Sequence, residues 1–220
     1  MKYKAALFDM DGTVLDTLGD LSDSLNHTLK AHGMPEHTID EARMMLGDGM
    51  NVLIHRAAPA GTPEEKIQEV LADYKAYYGS HSSIKTKVFD GIPELLEELR
   101  RRGVKTGVVS NKGDFAVQDL SKTYFDGLMD ASAGENEAAG IARKPAPDMC
   151  LNMLKLFGVT PSEAVYIGDT EVDIETAKNC GMDCIICSWG FRSVEDLKEK
   201  GAEVIVDTPM EILRAMENAK

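Results

Sequence analysis

Short apolar runs that end in an acid or a small polar residue punctuate this chain, with helical patterns set between them. KAALFD (4–9) opens the series, followed by VKTGVVS (104–110), AVYIGD (164–169), DCIICS (183–188) and AEVIVD (202–207). The runs are largely continuous rather than alternating, which predicts strands covered on both faces. Residues 93–102 predict a helix, with Pro93 in the first turn, Leu95, Leu96 and Leu99 on one face, and Gly103 as the stop. Residues 209–219 predict another, opened by Thr208-Pro209 with Glu211 placed to complete a capping box. The segment after Thr160-Pro161, with Glu163, starts the same way. Strands alternating with helices at this spacing predict an α/β fold with a mostly parallel sheet.

Residues 18–88 break the alternation. Leu18, Leu21, Leu25 and Leu29 repeat at helical spacing, Thr38 with Glu41 forms one expected capping box, and Thr62-Pro63 with Glu65 forms another. Ile67, Val70, Leu71, Tyr74 and Tyr78 continue a single apolar face. This stretch reads as an all-helical cap inserted after the first strand, leaving 1–17 and 89–220 as the catalytic core. All five histidines (27, 32, 37, 55 and 81) fall in the insertion without an H-E-x-x-H pairing. They are expected at the surface or in packing rather than as ligands.

Composition narrows the setting. The chain has 220 residues, 43% hydrophobic and 28% charged, which supports a packed core and argues against disorder. No apolar run approaches the roughly 20 residues of a membrane helix. The apolar stretch in MKYKAALFDMDGT is too short for a secretory signal, so a cytoplasmic location with no membrane partner is expected. A net charge of −13 argues against a nucleic-acid partner. Cys184 and Cys187 form a C-x-x-C, but three positions apart on a strand they face opposite ways. Buried thiols are expected there rather than a metal or redox pair.

Ligands of open parallel sheets bind at the carboxyl ends of the strands. The first strand ends Asp9-Met10-Asp11-Gly12-Thr13, the second Ser110-Asn111-Lys112, and a third Gly168-Asp169, with Asp173 one turn later. Ahead of that third strand stands Arg143-Lys144-Pro145. Each alone is ordinary: a D-x-D can be a solvated turn, and Gly-Asp before a helix can be an N-cap. Four carboxylates converging on one edge, however, call for a hard cation bound through oxygen, and Mg2+ suits a few carboxylates plus a substrate phosphate.

In these residues the chain resembles the haloacid dehalogenase superfamily, in its phosphatase branch. DMDGTVLDT is similar to the D-x-D-G-T-L-x-D signature, with Val14 in place of a common leucine; VVSN, RKP and GDTEVD correspond to the other three motifs. The helical cap, including LGDGMNVLIHRA (46–57), is similar to that of the phosphoglycolate phosphatase group. The resemblance implies a Rossmann-like core and hydrolysis of a small phosphorylated metabolite. It implies Asp9 as nucleophile, Asp11 as acid and base, and Ser110, Asn111 and Lys144 as phosphate-binding groups. It further implies Asp9, Asp169 and the Asp11 carbonyl as metal ligands, with Asp173 in an outer-shell contact. Arg43, Asp48 and Arg56 stand as cap residues that would select the substrate. Two other readings remain open: a phosphomutase of the β-phosphoglucomutase type, and a phosphoaspartate signalling protein. Neither G-x-S-x-G nor G-x-x-x-x-G-K-[ST] occurs, so serine hydrolase and P-loop chemistry are unsupported. Oligomeric state is not legible.

Overall fold

The computed structural model describes residues 2–136 and 139–218. Its strands, in chain order, are β1 (Ala5–Phe8), β2 (Leu15–Asp16), β3 (Lys87–Val88), β4 (Lys105–Gly113), β5 (Ala131–Glu135), β6 (Ala164–Gly168), β7 (Asp183–Cys187) and β8 (Ile205–Val206). Six of them form one sheet in the order β5-β4-β1-β6-β7-β8, and every pairing in it is parallel. β1 lies between β4 and β6, where the chain switches direction across the sheet. That places the ends of these three strands at the crevice where open sheets bind ligands.

β1 is buried along its whole length because both faces are covered. Ala6 and Phe8 pack into a cluster with α5 (Ile92–Arg101), α6 (Asp114–Phe125) and α10 (Pro209–Asn218). Ala5 and Leu7 point the other way, toward α7 (Asp148–Phe157) and α8 (Glu171–Cys180). The period of two along a strand sends alternate residues to opposite layers, so continuous apolar runs are the correct signature for this sheet. β7 behaves alike: Cys187 joins the first cluster while Cys184 packs against the second.

Four helices, α1 (Leu18–Ala31), α2 (Ile39–Met45), α3 (Met50–Ala57) and α4 (Glu64–His81), lie between β2 and β3 and enclose a cluster of their own. β2 and β3 pair antiparallel at the root of this insertion, Leu15 with Val88 and Asp16 with Lys87. Asp20, 2% exposed, accepts from the Lys85 N–H at 2.9 Å and from the Thr86 N–H and hydroxyl, each at 2.8 Å. The entering and leaving segments are thereby pinned to each other.

Two expected helix starts are corrected. α4 has Pro63 as its N-cap and begins at Glu64, so Glu65 is one position short of completing a box with Thr62. The Thr62 hydroxyl instead donates to Pro59 O at 2.7 Å, closing the preceding turn. At Thr160 the box with Glu163 forms, but it opens a single 3-10 turn, Pro161–Glu163, that runs straight into β6. Before α10, Glu211 accepts from the N–H groups of Asp207 at 2.8 Å and Thr208 at 3.3 Å; residue 219, its expected end, lies outside the described residues. β5, whose ASAGE sequence carries no large aliphatic residue, is a sixth strand that the apolar pattern does not announce.

Candidate active site

Asp9 follows β1 directly, and its N–H donates to Ile167 O in β6 at 2.8 Å, carrying the pairing one residue beyond the strand. The chain then folds back, with the Val14 and Leu15 N–H groups both donating to Met10 O. Gly12 permits this at φ +83°, a conformation that favours glycine, and a Cβ there would lie 2.3 Å from Asp169 Oδ2. At the end of β6, a Cβ on Gly168 would lie 2.2 Å from Asp173 Cγ. Both glycines are required by close approach to a carboxylate.

Lys144 is the centre of the charge arrangement. It is 2% exposed, and its Nζ lies 2.9 Å from Asp9 Oδ1, 2.8 Å from Asp173 Oδ1 and 3.0 Å from the Tyr166 hydroxyl. Burial alone would disfavour the ammonium, but the Asp173 and Asp9 carboxylates outweigh it and hold Lys144 above its usual range. The Lys144 backbone is clamped too: its N–H donates to Asn111 Oδ1 at 2.7 Å, and Asn111 Nδ2 donates to its carbonyl at 3.0 Å. Asn111 thus locks the end of β4 to the lysine segment with its side chain, a role that the strand-end pattern did not reveal.

Asp169 is fully buried; its carboxylate accepts from the Thr13 hydroxyl at 2.8 Å and the Phe191 N–H at 2.7 Å. Asp173 caps α8, taking the N–H groups of Asp169 and Thr170 and the Thr170 hydroxyl on Oδ2. Carboxylate oxygens of Asp9, Asp169 and Asp173 lie within 4.8 Å of one another. Burial, only partly offset by Lys144, pushes Asp9 up to about 6. Burial, with Asp173 and Asp9 nearby, also raises Asp169 well above the usual carboxylate range. An all-oxygen donor set short of positive charge fits a hard divalent cation.

Asp11 Oδ2 pairs with Lys112 Nζ at 2.9 Å, while Asp11 Oδ1 is buried with no hydrogen-bond partner among the described residues. Lys112, 4% exposed, also donates to the Tyr78 hydroxyl of α4 at 2.7 Å. The sequence marks Lys112 only as the end of a strand, and its partner Tyr78 is 34 positions away. Ser110, 2% exposed, has its Oγ 3.3 Å from the Lys112 N–H, which donates to it.

Asp9, Asp11, Ser110, Asn111 and Lys112 form one side of a cavity of about 40 Å³. The helical insertion forms the other, mainly with apolar side chains such as Leu21, Met50, Leu53 and Tyr74. Asp48 and Arg56 do not line it. They pair with each other at 2.6 Å, and Arg56 also donates to Met45 O. Arg43 pairs with Asp40 at 3.1 Å and borders a separate groove at the root of the insertion. The structure therefore does not bring these three cap residues to the carboxylates.

Residues 6–187 match the haloacid dehalogenase-like hydrolase family. The chain is 29% identical over 220 residues to the phosphoglycolate phosphatase of Aquifex aeolicus, covering 98% of this chain and 97% of that protein. It is likewise 29% identical over 221 residues to the N-acetylmuramic acid 6-phosphate phosphatase of Pseudomonas aeruginosa, with coverage of 100% and 97%. A crystal structure from Lactobacillus delbrueckii subsp. bulgaricus superposes with a TM-score of 0.93 at 42% identity, over 98% of this chain and 99% of that one. Fold and site define a capped α/β enzyme with carboxylates and a buried lysine at its working edge. The chain belongs to the haloacid dehalogenase-like hydrolase family, as a phosphoglycolate phosphatase-like enzyme.

Proposed function

We propose that this chain is a magnesium-dependent phosphatase hydrolysing a small phosphate monoester, 2-phosphoglycolate or a close relative, through an aspartyl-phosphate on Asp9. Residues 1–17 and 89–220 form the catalytic core and 18–88 the cap. The observation that carries the reading is Lys144 Nζ held between Asp9 and Asp173, with Asp11 and Ser110 at the same sheet edge. Asp9 attacks phosphorus in line, and Lys144 stabilises charge on the transferring group. Ser110 and the Asn111 N–H hold phosphoryl oxygens. Asp11 protonates the leaving oxygen and then takes a proton from water. Asp9 and Asp169 through their carboxylates, and Asp11 through its carbonyl, would hold Mg2+, which when bound offsets repulsion between the nucleophile and a phosphate dianion. Asp173 supports from outside that set, with Oδ1 on Lys144 Nζ and Oδ2 taking the Thr170 N–H at the start of α8. The cap excludes bulk water.

A small cavity between the sheet edge and the helical insertion suits a short substrate. The names of the relatives support the phosphatase class and span more than one substrate. Four free cysteines agree with a cytoplasmic setting. Turnover of para-nitrophenyl phosphate should vanish in excess chelator, return with magnesium, and return poorly with calcium, whose looser and larger shell spoils in-line alignment. Full activity in chelator would overturn the metal dependence. No turnover of any phosphate monoester would overturn the phosphatase reading.

A further inference from the structure

Arg192 lies in the loop after β7, outside the carboxylate cluster, and only 7% of it is exposed. Its Nη2 donates to Leu46 O at 2.8 Å and its Nη1 to Arg43 O at 3.2 Å, both at the carboxyl end of α2. On the core side, its Nε and Nη2 meet the Glu171 carboxylate at 2.9 and 3.2 Å. Glu171 is the first residue of α8, two positions after Asp169. One guanidinium thus joins the end of a cap helix to the start of the helix that carries Asp173. A cation is well placed against carbonyls at a helix C-terminus, and the planar fork serves two carbonyls and a carboxylate together.

The segment so held borders the site. Leu46, Gly47 and Gly49 line the cavity. From the opposite side Asn111 Nδ2 donates to Gly47 O at 3.2 Å, and a Cβ on Gly49 would lie 3.2 Å from Asn111 O. The space between this segment and the sheet edge is small, about 40 Å³. Lifting residues 46–49 away from the sheet edge would break the bond from Arg192 to Leu46 O.

We propose that Arg192, braced by Glu171, is a latch that holds the cap loop at 46–49 shut over the active site. It is a positioning residue: it touches neither the carboxylate cluster nor the cavity, and it acts through the loop. The inference rests on the phosphatase reading for its kinetic consequence, but not for its structural one.

The test uses the full-length chain with magnesium, comparing wild type, Arg192→Met, Arg192→Lys and Glu171→Gln by hydrogen–deuterium exchange. In Arg192→Met, amides of residues 46–50 should exchange about tenfold faster or more, the equivalent of losing one charge-assisted hydrogen bond. β1, β4 and β6 should keep their wild-type rates. Arg192→Lys should fall between the two, since an ammonium can replace only part of the fork. With para-nitrophenyl phosphate, KM should change by a larger factor than kcat. Unchanged exchange at 46–50 in folded Arg192→Met overturns the latch, as does a fall in kcat at constant KM. Should Arg192→Met unfold, Glu171→Gln decides: faster exchange confined to 46–50 supports the latch, and any other result overturns it. Because exchange is read without turnover, a wild type inactive on every phosphate ester would sink the phosphatase reading while leaving the latch to be judged separately.

Discussion

Asp9 and Asp11 are two residues apart and share a sheet edge, yet their surroundings differ. Asp9 is 6% exposed and bonded to Lys144; Asp11 is bonded to Lys112, which is tied in turn to Tyr78 of the cap. That difference supports a division between nucleophile and acid, and substitution should separate them. Asp9→Asn should leave no turnover, because the attacking oxygen is lost while size is kept. Asp11→Asn should cut cleavage of an alkyl phosphate by roughly 10²–10⁴-fold, the usual contribution of a positioned acid or base. On para-nitrophenyl phosphate the leaving group departs without a proton, so Asp9 is still phosphorylated. Hydrolysis of the intermediate then stalls, and the trace should show a burst of about one nitrophenolate per site followed by slow release. Undiminished steady turnover on both substrates would remove Asp11 from this role.

Helix starts offer a comparison of two similar sequence signals, only one of which becomes a cap. The Thr38 hydroxyl accepts from the Glu41 N–H at 3.3 Å, and Glu41 accepts from the Thr38 N–H at 2.7 Å, so α2 has its full box. Thr62 has no such partner at the start of α4. Thr38→Ala should therefore cost about 0.5–2 kcal/mol in urea unfolding, and Thr62→Ala clearly less, since it loses only an exposed turn bond. Equal losses would show that the box at Thr38 contributes little. The same contrast explains what was legible in the sequence. Asp9, Ser110, Asn111 and Asp169 stood out because each terminates an apolar run, and local pattern is enough to find a strand end. Thr62 was misjudged because Pro63 moves the helix start by one residue, which composition does not reveal. β5 was missed because its small residues pair with β4 without a run of aliphatics. Lys112 and Arg192 carried no local sign of their importance: their partners Tyr78 and Leu46 are 34 and 146 positions away. Asp48 and Arg56 stood out as charged residues of the cap, and in the structure they pair with each other.

Across the whole molecule, the cost of gathering buried acids should appear as a coupling between pH, metal and stability. Burial pushes Asp9 up to about 6 and Asp169 well above its usual range, whereas in the unfolded chain both titrate near the ordinary value of 3.8. Between the ordinary and the raised values the folded state binds more protons than the unfolded state, so without metal Asp9 makes stability fall as pH rises from about 4 through about 6, and Asp169 acts in the same direction. Surface acids act in the opposite sense at lower pH. Hydrogen bonds from Arg101 and Arg102 hold Glu98 down to about 2, so its contribution is complete above the ordinary 4.5 and is lost only as pH falls toward 2. The two effects therefore occupy different windows. Metal binding requires deprotonated carboxylates and releases their protons. Saturating magnesium should thus raise the urea midpoint more at pH 7 than at pH 5. Asp9→Asn removes one ligand charge and one of the two raised carboxyls. It should shrink both the magnesium-induced shift and its dependence on pH, while leaving the loss below pH 4.5 unchanged. An equal magnesium shift at pH 5 and pH 7 in the wild type would mean that the buried acids are already ionised without the cation, and the charge deficit inferred at this site would be wrong.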